Sequence, residues 1–345
     1  MNRRTHLKKM AGLAGAALLG SSNKSFSTEK SSTARLTTGK IVTVTGEISP
    51  EELGLTLPHE HVFSIFGKDP ARYPNYPEED LMGSVIPYLG KLKKLGVYTI
   101  VDATAAYFGR HPEFLKKISE ETGIQIITNT GYYGAAKGRY IPKHVAEESS
   151  DEIAERWIAE IHKGIDETGI YPGFIKTALE HKPMNEVDKK LIEAAAKTHK
   201  ETGLSIQTHL GDNVYAANEA IDILSDNGVS ADAWIFIHAH KVPDAQKLLP
   251  MARMGAYISF DGINRDSAES ILAKIKLFKA EGMLNRVLLS HDGNSFRRDG
   301  TRKDYHFLVS DFKSRFLAFG FPESDFKQIT EKNPANVLVV KKRLT

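Results

Sequence analysis

Residues 173–209, GFIKTALEHKPMNEVDKKLIEAAAKTHKETGLSIQTH, hold two short apolar runs, Phe174–Thr177 and Leu204–Thr208, on either side of a stretch, Glu186–Glu201, with helical apolar spacing. The helical stretch stops at Glu201-Thr202-Gly203, where glycine supplies the left-handed residue that ends a helix, and the next run follows at once. The same alternation fills the chain from Lys40 onward. Short runs stand at Leu53–Leu57, Tyr98–Ala103, Ile124–Asn129, Phe174–Thr177, Leu204–Thr208, Trp234–Ile237, Tyr257–Phe260 and Val287–Ser290. Helical candidates between them include Pro112–Thr122, Asp151–Glu167, Val214–Asn227, Pro243–Met254 and Arg265–Gly282. Eight such units predict a single-domain (β/α)8 TIM barrel, an α/β fold whose strands are buried on both faces and so read as continuous apolar runs. An open doubly wound sheet is the rival, but no Gly-x-Gly-x-x-Gly follows the first run, which removes its dinucleotide-binding form. Val42 and Val44 alternate with Thr43 and Thr45, as in a hairpin or lid under the barrel, and Asp304–Phe319 and Pro322–Lys332 read as helices.

The 345 residues, 41% hydrophobic and 26% charged, have the composition of a globular protein with a large core. Cysteine is absent, which excludes disulfides, thiolate metal sites, iron–sulfur clusters and cysteine nucleophiles; any metal must be held by nitrogen and oxygen. The net charge of +3 is unevenly placed. Residues 1–27 hold five of the 46 basic residues and no acid, so the remainder carries 41 basic against 43 acidic residues. Such a body gives no electrostatic basis for binding nucleic acid or an anionic membrane. Arg3-Arg4-Thr5-His6-Leu7-Lys8 precedes an apolar run, Met10–Leu19, that is too short for a membrane span, which needs about 20 residues. This pattern is similar to a twin-arginine export signal, with a general secretory signal as the alternative. The expected organisation is a signal segment at 1–27, a flexible arm at 28–40 and the barrel at 41–345, in a periplasmic or secreted protein exported in the folded state.

In a barrel of this kind the active site lies at the C-terminal ends of the strands. The first run leads into Pro58-His59-Glu60-His61, the fifth into Thr208-His209, the sixth into Ile237-His238-Ala239-His240 and the eighth into Ser290-His291-Asp292. Thirteen histidines scattered at random would not finish four of eight strands. His59 and His61, two apart, share a face and can bind one metal ion together. Joined to His209, His238 and Asp292 at matching strand ends, they form the nitrogen and oxygen set that suits zinc, manganese or iron. On the sixth strand both His238 and His240 are available and are expected to face the same side.

Lys176 sits inside an apolar run, where an unpaired ammonium would cost several kcal/mol. Two solutions are open. The amine can pair with a nearby acid such as Asp102 or Asp261. Alternatively, burial lowers its pKa, and the neutral amine takes up carbon dioxide to become an anionic carbamate bridging two metal ions.

Leu55-Thr56-Leu57-Pro58-His59-Glu60-His61, Gly173-Phe174-Ile175-Lys176, Gln207-Thr208-His209, the sixth-strand histidine and Leu289-Ser290-His291-Asp292 together resemble the phosphotriesterase family of the amidohydrolase superfamily. The resemblance runs in order from about Val42 to Leu338 and includes Asn333-Pro334-Ala335 near the end. It implies a binuclear metal-dependent hydrolase. His59, His61 and Asp292 would hold one divalent ion and His209 and His238 the second, with carboxylated Lys176 and a hydroxide between them. Zinc stands first among the metals, with manganese, cobalt or iron as alternatives, and carbon dioxide is needed for the lysine. The spacing to Gly255 favours His238 over His240. Tyr133, in Asn129-Thr130-Gly131-Tyr132-Tyr133, resembles a tyrosine that abuts the bridging hydroxide in lactone-hydrolysing relatives. Phe260-Asp261-Gly262-Ile263 departs from the pattern, with glycine where relatives place an arginine or histidine that reaches the substrate.

The reaction so implied is attack of an activated water on a lactone, carboxylic ester, phosphoester or amide, with Asp292 taking the proton and His291 and His240 available as relays. No Gly-x-Ser-x-Gly elbow offers a serine nucleophile. The partner is a small molecule, and the sequence leaves open whether the protein is a homodimer. The competing readings are a deaminase or isomerase with one metal on the same barrel, and an exported protein that binds a small molecule without catalysis.

Overall fold

The strand that carries His59 starts at Thr56, three residues later than the apolar run suggests. In the computed structural model, which describes residues 36–345, Leu53 instead follows a short turn at Pro50–Glu52 and packs into the interior of the barrel. The expected signal segment at 1–27 lies outside the described residues, as does the first part of the arm. Gly39 and Lys40 are held by backbone hydrogen bonds to Val340.

Strands β1 (Ile41–Thr43) and β2 (Gly46–Ile48) form the antiparallel hairpin that the Val/Thr alternation predicts, with Ile41 opposite Ile48. Ile41 packs with Leu53, Val101, Ile127, Phe174 and Ile235 in the barrel's inner core. The barrel follows as β3 (Thr56–Glu60), β4 (Thr99–Asp102), β5 (Gln125–Ile127), β6 (Asn129–Gly131), β7 (Phe174–Ala178), β8 (Ile206–His209), β9 (Trp234–Ile237), β10 (Tyr257–Phe260) and β11 (Val287–Leu289). Neighbours pair in parallel, in the orders β3-β4-β5 and β6-β7-β8-β9-β10-β11. The third expected run is therefore two strands. It breaks at Thr128, so that β5 pairs with β4 and β6 with β7, and the Gly173 N–H donates to the Thr128 carbonyl beside the break. With β5 and β6 sharing one place, the architecture is the (β/α)8 barrel.

Among the described residues no ladder joins β11 to β3, and the seam is closed in another way. The His59 N–H donates to Ser290 Oγ at 3.1 Å, the Asp292 N–H to the His59 carbonyl at 3.2 Å and the His61 N–H to the Gly293 carbonyl at 2.9 Å. Glu60, fully buried, completes the seam with its carboxylate. It accepts from Ser290 Oγ at 2.7 Å, from His291 N–H at 2.9 Å and Nδ1 at 2.7 Å, and from Gly293 N–H at 2.5 Å. Four donors on one buried carboxylate satisfy it as a charge. Glu60→Gln turns one acceptor oxygen into an amide NH2, a donor that faces donors. The expected cost is about 2–4 kcal/mol of unfolding free energy, read by denaturant titration. A loss below about 1 kcal/mol would show that the seam does not depend on this charge.

Helices α1 (Glu78–Lys94), α2 (Pro112–Thr122), α3 (Ser150–Lys163), α4 (Glu186–Thr202), α5 (Val214–Asp226), α6 (Leu249–Arg253) and α7 (Ala268–Ala280) lie between the strands. The sequence reading lacks α1, because Pro87 stands in its interior and interrupts the pattern of a helix. Its buried residues Leu81, Val85, Leu89 and Leu92 still recur at helical spacing, and burying that stripe holds it in place. Helices α2 and α4 stop at Gly123 and Gly203, both in the left-handed region as expected. The Asn333-Pro334-Ala335 motif opens a C-terminal helix, and the buried Asn333 amide donates to the Leu284 and Val287 carbonyls at the foot of β11. Among the described residues no helix is long and apolar enough to cross a membrane.

Candidate active site

His59, His61, Lys176, His209, His238 and Asp292 come together in one cavity of about 200 Å³, with Tyr133 in its wall. Six positions spread over more than two hundred residues of chain meet because His59, His61, His209 and His238 sit at the C-terminal end of a barrel strand or within one step of it, Lys176 lies inside β7, and Asp292 stands three residues past the end of β11.

His59 and His61 are each fixed by the ring nitrogen that points away from the cavity. The Gln207 amide donates from Nε2 to the Pro58 carbonyl at 3.2 Å, which turns its Oε1 toward His59 Nδ1, also at 3.2 Å. His61 Nδ1 meets Thr104 Oγ1 at 2.8 Å. The two Nε2 atoms are thereby aimed at Asp292 Oδ1, at 3.7 Å from His59 and 3.4 Å from His61. Ligand atoms placed tetrahedrally about 2.1 Å from one ion stand about 3.4 Å apart, so this trio has the spacing of a metal site.

The second group is built around Asp261. Strand β9 ends at Ile237, and His238 follows with φ 68°, in the left-handed region. The expectation that His238 and His240 share one face of a strand does not hold, because neither lies on a strand. Asp261 accepts from the His238 N–H at 3.0 Å, from His238 Nδ1 at 2.8 Å and from His240 Nδ1 at 3.0 Å. Only His238 of the two lines the cavity, its ring centroid 4.3 Å from that of His209 and 5.2 Å from that of His59. His240 lies against residue 262, where an added Cβ would come within 2.2 Å of its Nε2. Glycine at 262 is what gives this histidine its room.

Asp292 shares the unusual backbone of His238, with φ 53°. Such a conformation costs on the order of 1–3 kcal/mol and persists where the surroundings fix it. Here the His59 carbonyl takes the Asp292 N–H, and Lys303 Nζ donates to the Asp292 carbonyl at 2.7 Å.

Lys176 is buried, and its Nζ has no hydrogen-bond partner among the described residues. Neither of the two acids that could have paired with it does so, although Asp102 keeps one buried oxygen without a partner. Asp102 accepts from the Val62 N–H at 2.8 Å and from Thr104 Oγ1 at 3.1 Å, while Asp261 serves the two histidines. The ion-pair reading of Lys176 is thus replaced by an orphaned amine. Burial pushes that amine down to about 8, against the pull of Asp261 and Asp292. Burial likewise holds His59 and His209 well below the ordinary imidazole value, with Lys176 adding to it at His59 and His238 at His209. Both rings are therefore neutral at pH 7 and keep a lone pair for a metal. Burial alone would raise the Asp292 carboxyl, but the bond to His61 and the field of His238 outweigh it and hold the group well below the usual range. Neutral imidazoles, one carboxylate and a buried amine without a partner form a donor set that fits divalent ions.

Tyr133 places its hydroxyl 3.4 Å from His209 Nδ1, with its ring stacked on Phe108 at 4.8 Å. Burial and the nearby Asp292 raise its phenol, which stays protonated. His291 is no relay. Its Nδ1 bonds Glu60 and its Nε2 accepts the Leu308 N–H at 2.9 Å, so both nitrogens are used in the seam. The sequence reading assigns no role to Gln207, Thr104 or Glu60, or to Asp261 as the clamp of two histidines. Gln207 and Asp261 do leave a trace, as polar residues within or just after apolar runs. Phe66, Phe108, Lys241 and Arg297, which also line the cavity, lie in loops and leave none.

The comparisons with known proteins agree with this geometry. A phosphotriesterase homology protein of Escherichia coli (strain K12) is 29% identical over 296 residues, spanning 84% of this chain and 99% of that protein. An N-acetyltaurine hydrolase of Xenopus tropicalis is 26% identical over 348 residues, spanning 88% of this chain and 99% of its own. The solved structure of an organophosphorus hydrolase from Deinococcus radiodurans is similar with a TM-score of 0.77 and 28% identity, over 88% of this chain and 98% of that one. The model of the phosphotriesterase family matches residues 39–338, nearly the whole described chain, and the protein therefore belongs to that family of metal-dependent hydrolases.

Proposed function

We propose that the protein hydrolyses an ester, lactone, phosphoester or amide bond with two divalent ions, zinc first among them. His59, His61 and Asp292 would hold one ion and His209 and His238 the other, with Lys176, carboxylated by carbon dioxide, reaching both. The observation that carries this reading is the Lys176 amine, buried without a partner amid those five side chains. Such an ion pair lowers the pKa of a shared water toward neutrality and polarises the acyl or phosphoryl oxygen under attack. The chain's own residues do the rest. Gln207, Thr104 and Asp261 hold the imidazoles in the tautomer that offers a free nitrogen to the cavity. Asp292 turns Oδ1 to His59 and His61, which leaves Oδ2, 3.5 Å from Lys303 Nζ, to take the proton of the attacking water. Tyr133 donates its hydroxyl proton as a hydrogen bond toward the oxygen that gains charge.

Elemental analysis after zinc loading with bicarbonate tests the reading, together with a screen of lactones, aryl esters, phosphotriesters and N-acyl amino acids. Two equivalents of metal and turnover that a chelator abolishes are expected. One equivalent at saturation would favour the mononuclear deaminase or isomerase instead.

The same reading places the enzyme outside the cytoplasm. Its support is the Arg3-Arg4 leader ahead of a short apolar run. Replacing both arginines by lysine should trap the protein inside the cell if the twin-arginine route is used. Undiminished export of that variant would assign the leader to the general secretory route.

A further inference from the structure

Beyond the six candidate ligands, the cavity wall has a charge pattern that the hydrolytic reading does not use. Asp292 is its one acid, while Lys241 and Arg297 stand in the same wall. Neither forms an ion pair among the described residues, whereas Arg72, Arg110, Arg139, Arg156, Arg253 and Arg315 do. Arg297 is only partly exposed, and its Nε is buried without a partner. An unpaired guanidinium nitrogen withheld from water is costly unless a ligand meets it.

The aromatic side chains fix where this cation lies. His61 packs edge-on against Phe108 at 5.5 Å, Phe108 against Phe66 at 5.9 Å, and the Arg297 guanidinium lies over Phe66 at 5.5 Å. Arg297 is thus the outer end of a wall that begins at a candidate ligand. The cation–π contact with Phe66 holds the guanidinium beside the cavity before a ligand arrives. Lys241 belongs to the short turn that leaves His238, its N–H bonded to the His238 carbonyl at 3.0 Å, and comes to the cavity from a different strand end. Asn294 adds a polar group: its amide donates to Ser64 Oγ at 2.6 Å, and its other end has no partner.

We propose that Arg297 and Lys241 form an anion-binding rim, and that the natural substrate carries a carboxylate or sulfonate a few atoms away from the bond that is cleaved. The inference rests on the hydrolytic reading and narrows it to substrates with a neutral reacting end and a charged far end. Arg297 binds that far group through two N–H donors, and Lys241 adds a second charge at the mouth. The cavity, at about 200 Å³, admits a small molecule of this kind.

The test compares a matched pair of substrates, mono-p-nitrophenyl glutarate and p-nitrophenyl butyrate, on the zinc-loaded enzyme. A charge-assisted pair predicts kcat/KM about tenfold to a hundredfold higher for the anionic ester, mostly through KM. Arg297→Gln should lower that preference at least about tenfold, Arg297→Lys should restore part of it, and Lys241→Gln should lower it further in combination. Calorimetric binding of glutarate against butyrate to the same enzyme reads the rim without hydrolysis. An enzyme that cleaves neither ester and none of the lactones, phosphotriesters and N-acyl amino acids of the screen, but still binds glutarate at least tenfold tighter, would refute the hydrolytic reading and retain the rim. Equal affinity for the two acids, or an ester preference that survives in the Arg297→Gln, Lys241→Gln double variant, would overturn the rim.

Discussion

Lys176→Ala is expected to lose most of the bound metal and to lower kcat/KM by on the order of a thousandfold or more. On the proposed reading Lys176 would be a ligand shared by two ions, whose combined effect on the transition state would be several kcal/mol, at 1.36 kcal/mol for each factor of ten. Lys176→Glu should keep part of the metal and part of the rate, because its carboxylate supplies the charge that the carbamate would. A short carboxylic acid added to the alanine variant should fill the gap and restore activity, an effect seen in elemental analysis and in turnover alike. A lysine that served only as a buried cation predicts the reverse: the alanine variant would keep both ions, and the glutamate variant, with a negative charge near Asp261 and Asp292, would be the less stable of the two. The structure favours the first pattern, since neither of those acids contacts the amine. Retention of two equivalents of zinc by Lys176→Ala would remove the bridging role.

On the proposed reading, His59→Ala should reduce the metal content from two equivalents to one and lower activity about a thousandfold, because His59 is the candidate ligand on which both groups converge. It lies 3.7 Å from the Asp292 carboxylate and packs 5.2 Å from the His238 ring. His240→Ala provides the contrast. Asp261 keeps its two bonds to His238 in that variant, so both ions should stay and activity should fall by no more than about 10–100-fold, the usual effect of losing an outer support. Elemental analysis of the two proteins side by side decides the matter. If His240→Ala lost an equivalent of metal and His59→Ala did not, the assignment of ligands would be wrong.

The barrel could be read from the sequence because its evidence is local and repeated. Eight apolar runs and the glycine stops at Gly123 and Gly203 each depend on a handful of neighbouring residues, and β-strands buried on both faces must be apolar throughout. The candidate ligands could be read for a related reason. A barrel places every strand end on one rim, so His59, His61, His209, His238 and Asp292 need only be found at the ends of runs for their meeting to follow. Helix α1 was hidden because Pro87 breaks the local pattern, although burial of Leu81, Val85, Leu89 and Leu92 more than offsets the lost bond.

What the sequence could not settle depends on atoms brought together from distant parts of the chain. The partner of Lys176 was open, since Asp102 and Asp261 were both within its reach in a barrel; only the folded chain shows Asp261 taken by two histidines, Asp102 bonded by Val62 and Thr104 through one oxygen, and neither bonded to the amine. His238 and His240 both follow the sixth apolar run, and only a family-like spacing to Gly255 favours His238; the left-handed turn after Ile237 sends that one into the cavity and the other behind Asp261. Glu60 looks like a spacer between two ligands until the seam with β11 closes around it. The sequence by itself determined the architecture and which candidate ligands share its rim, because periodicity and strand-end position are properties of short segments. Which amine stays unpaired, which histidine faces in and where the cations of the mouth stand were decided only by the tertiary structure, because a hydrogen bond or an unmet charge is a property of pairs, and the pairs here join residues as much as 233 positions apart.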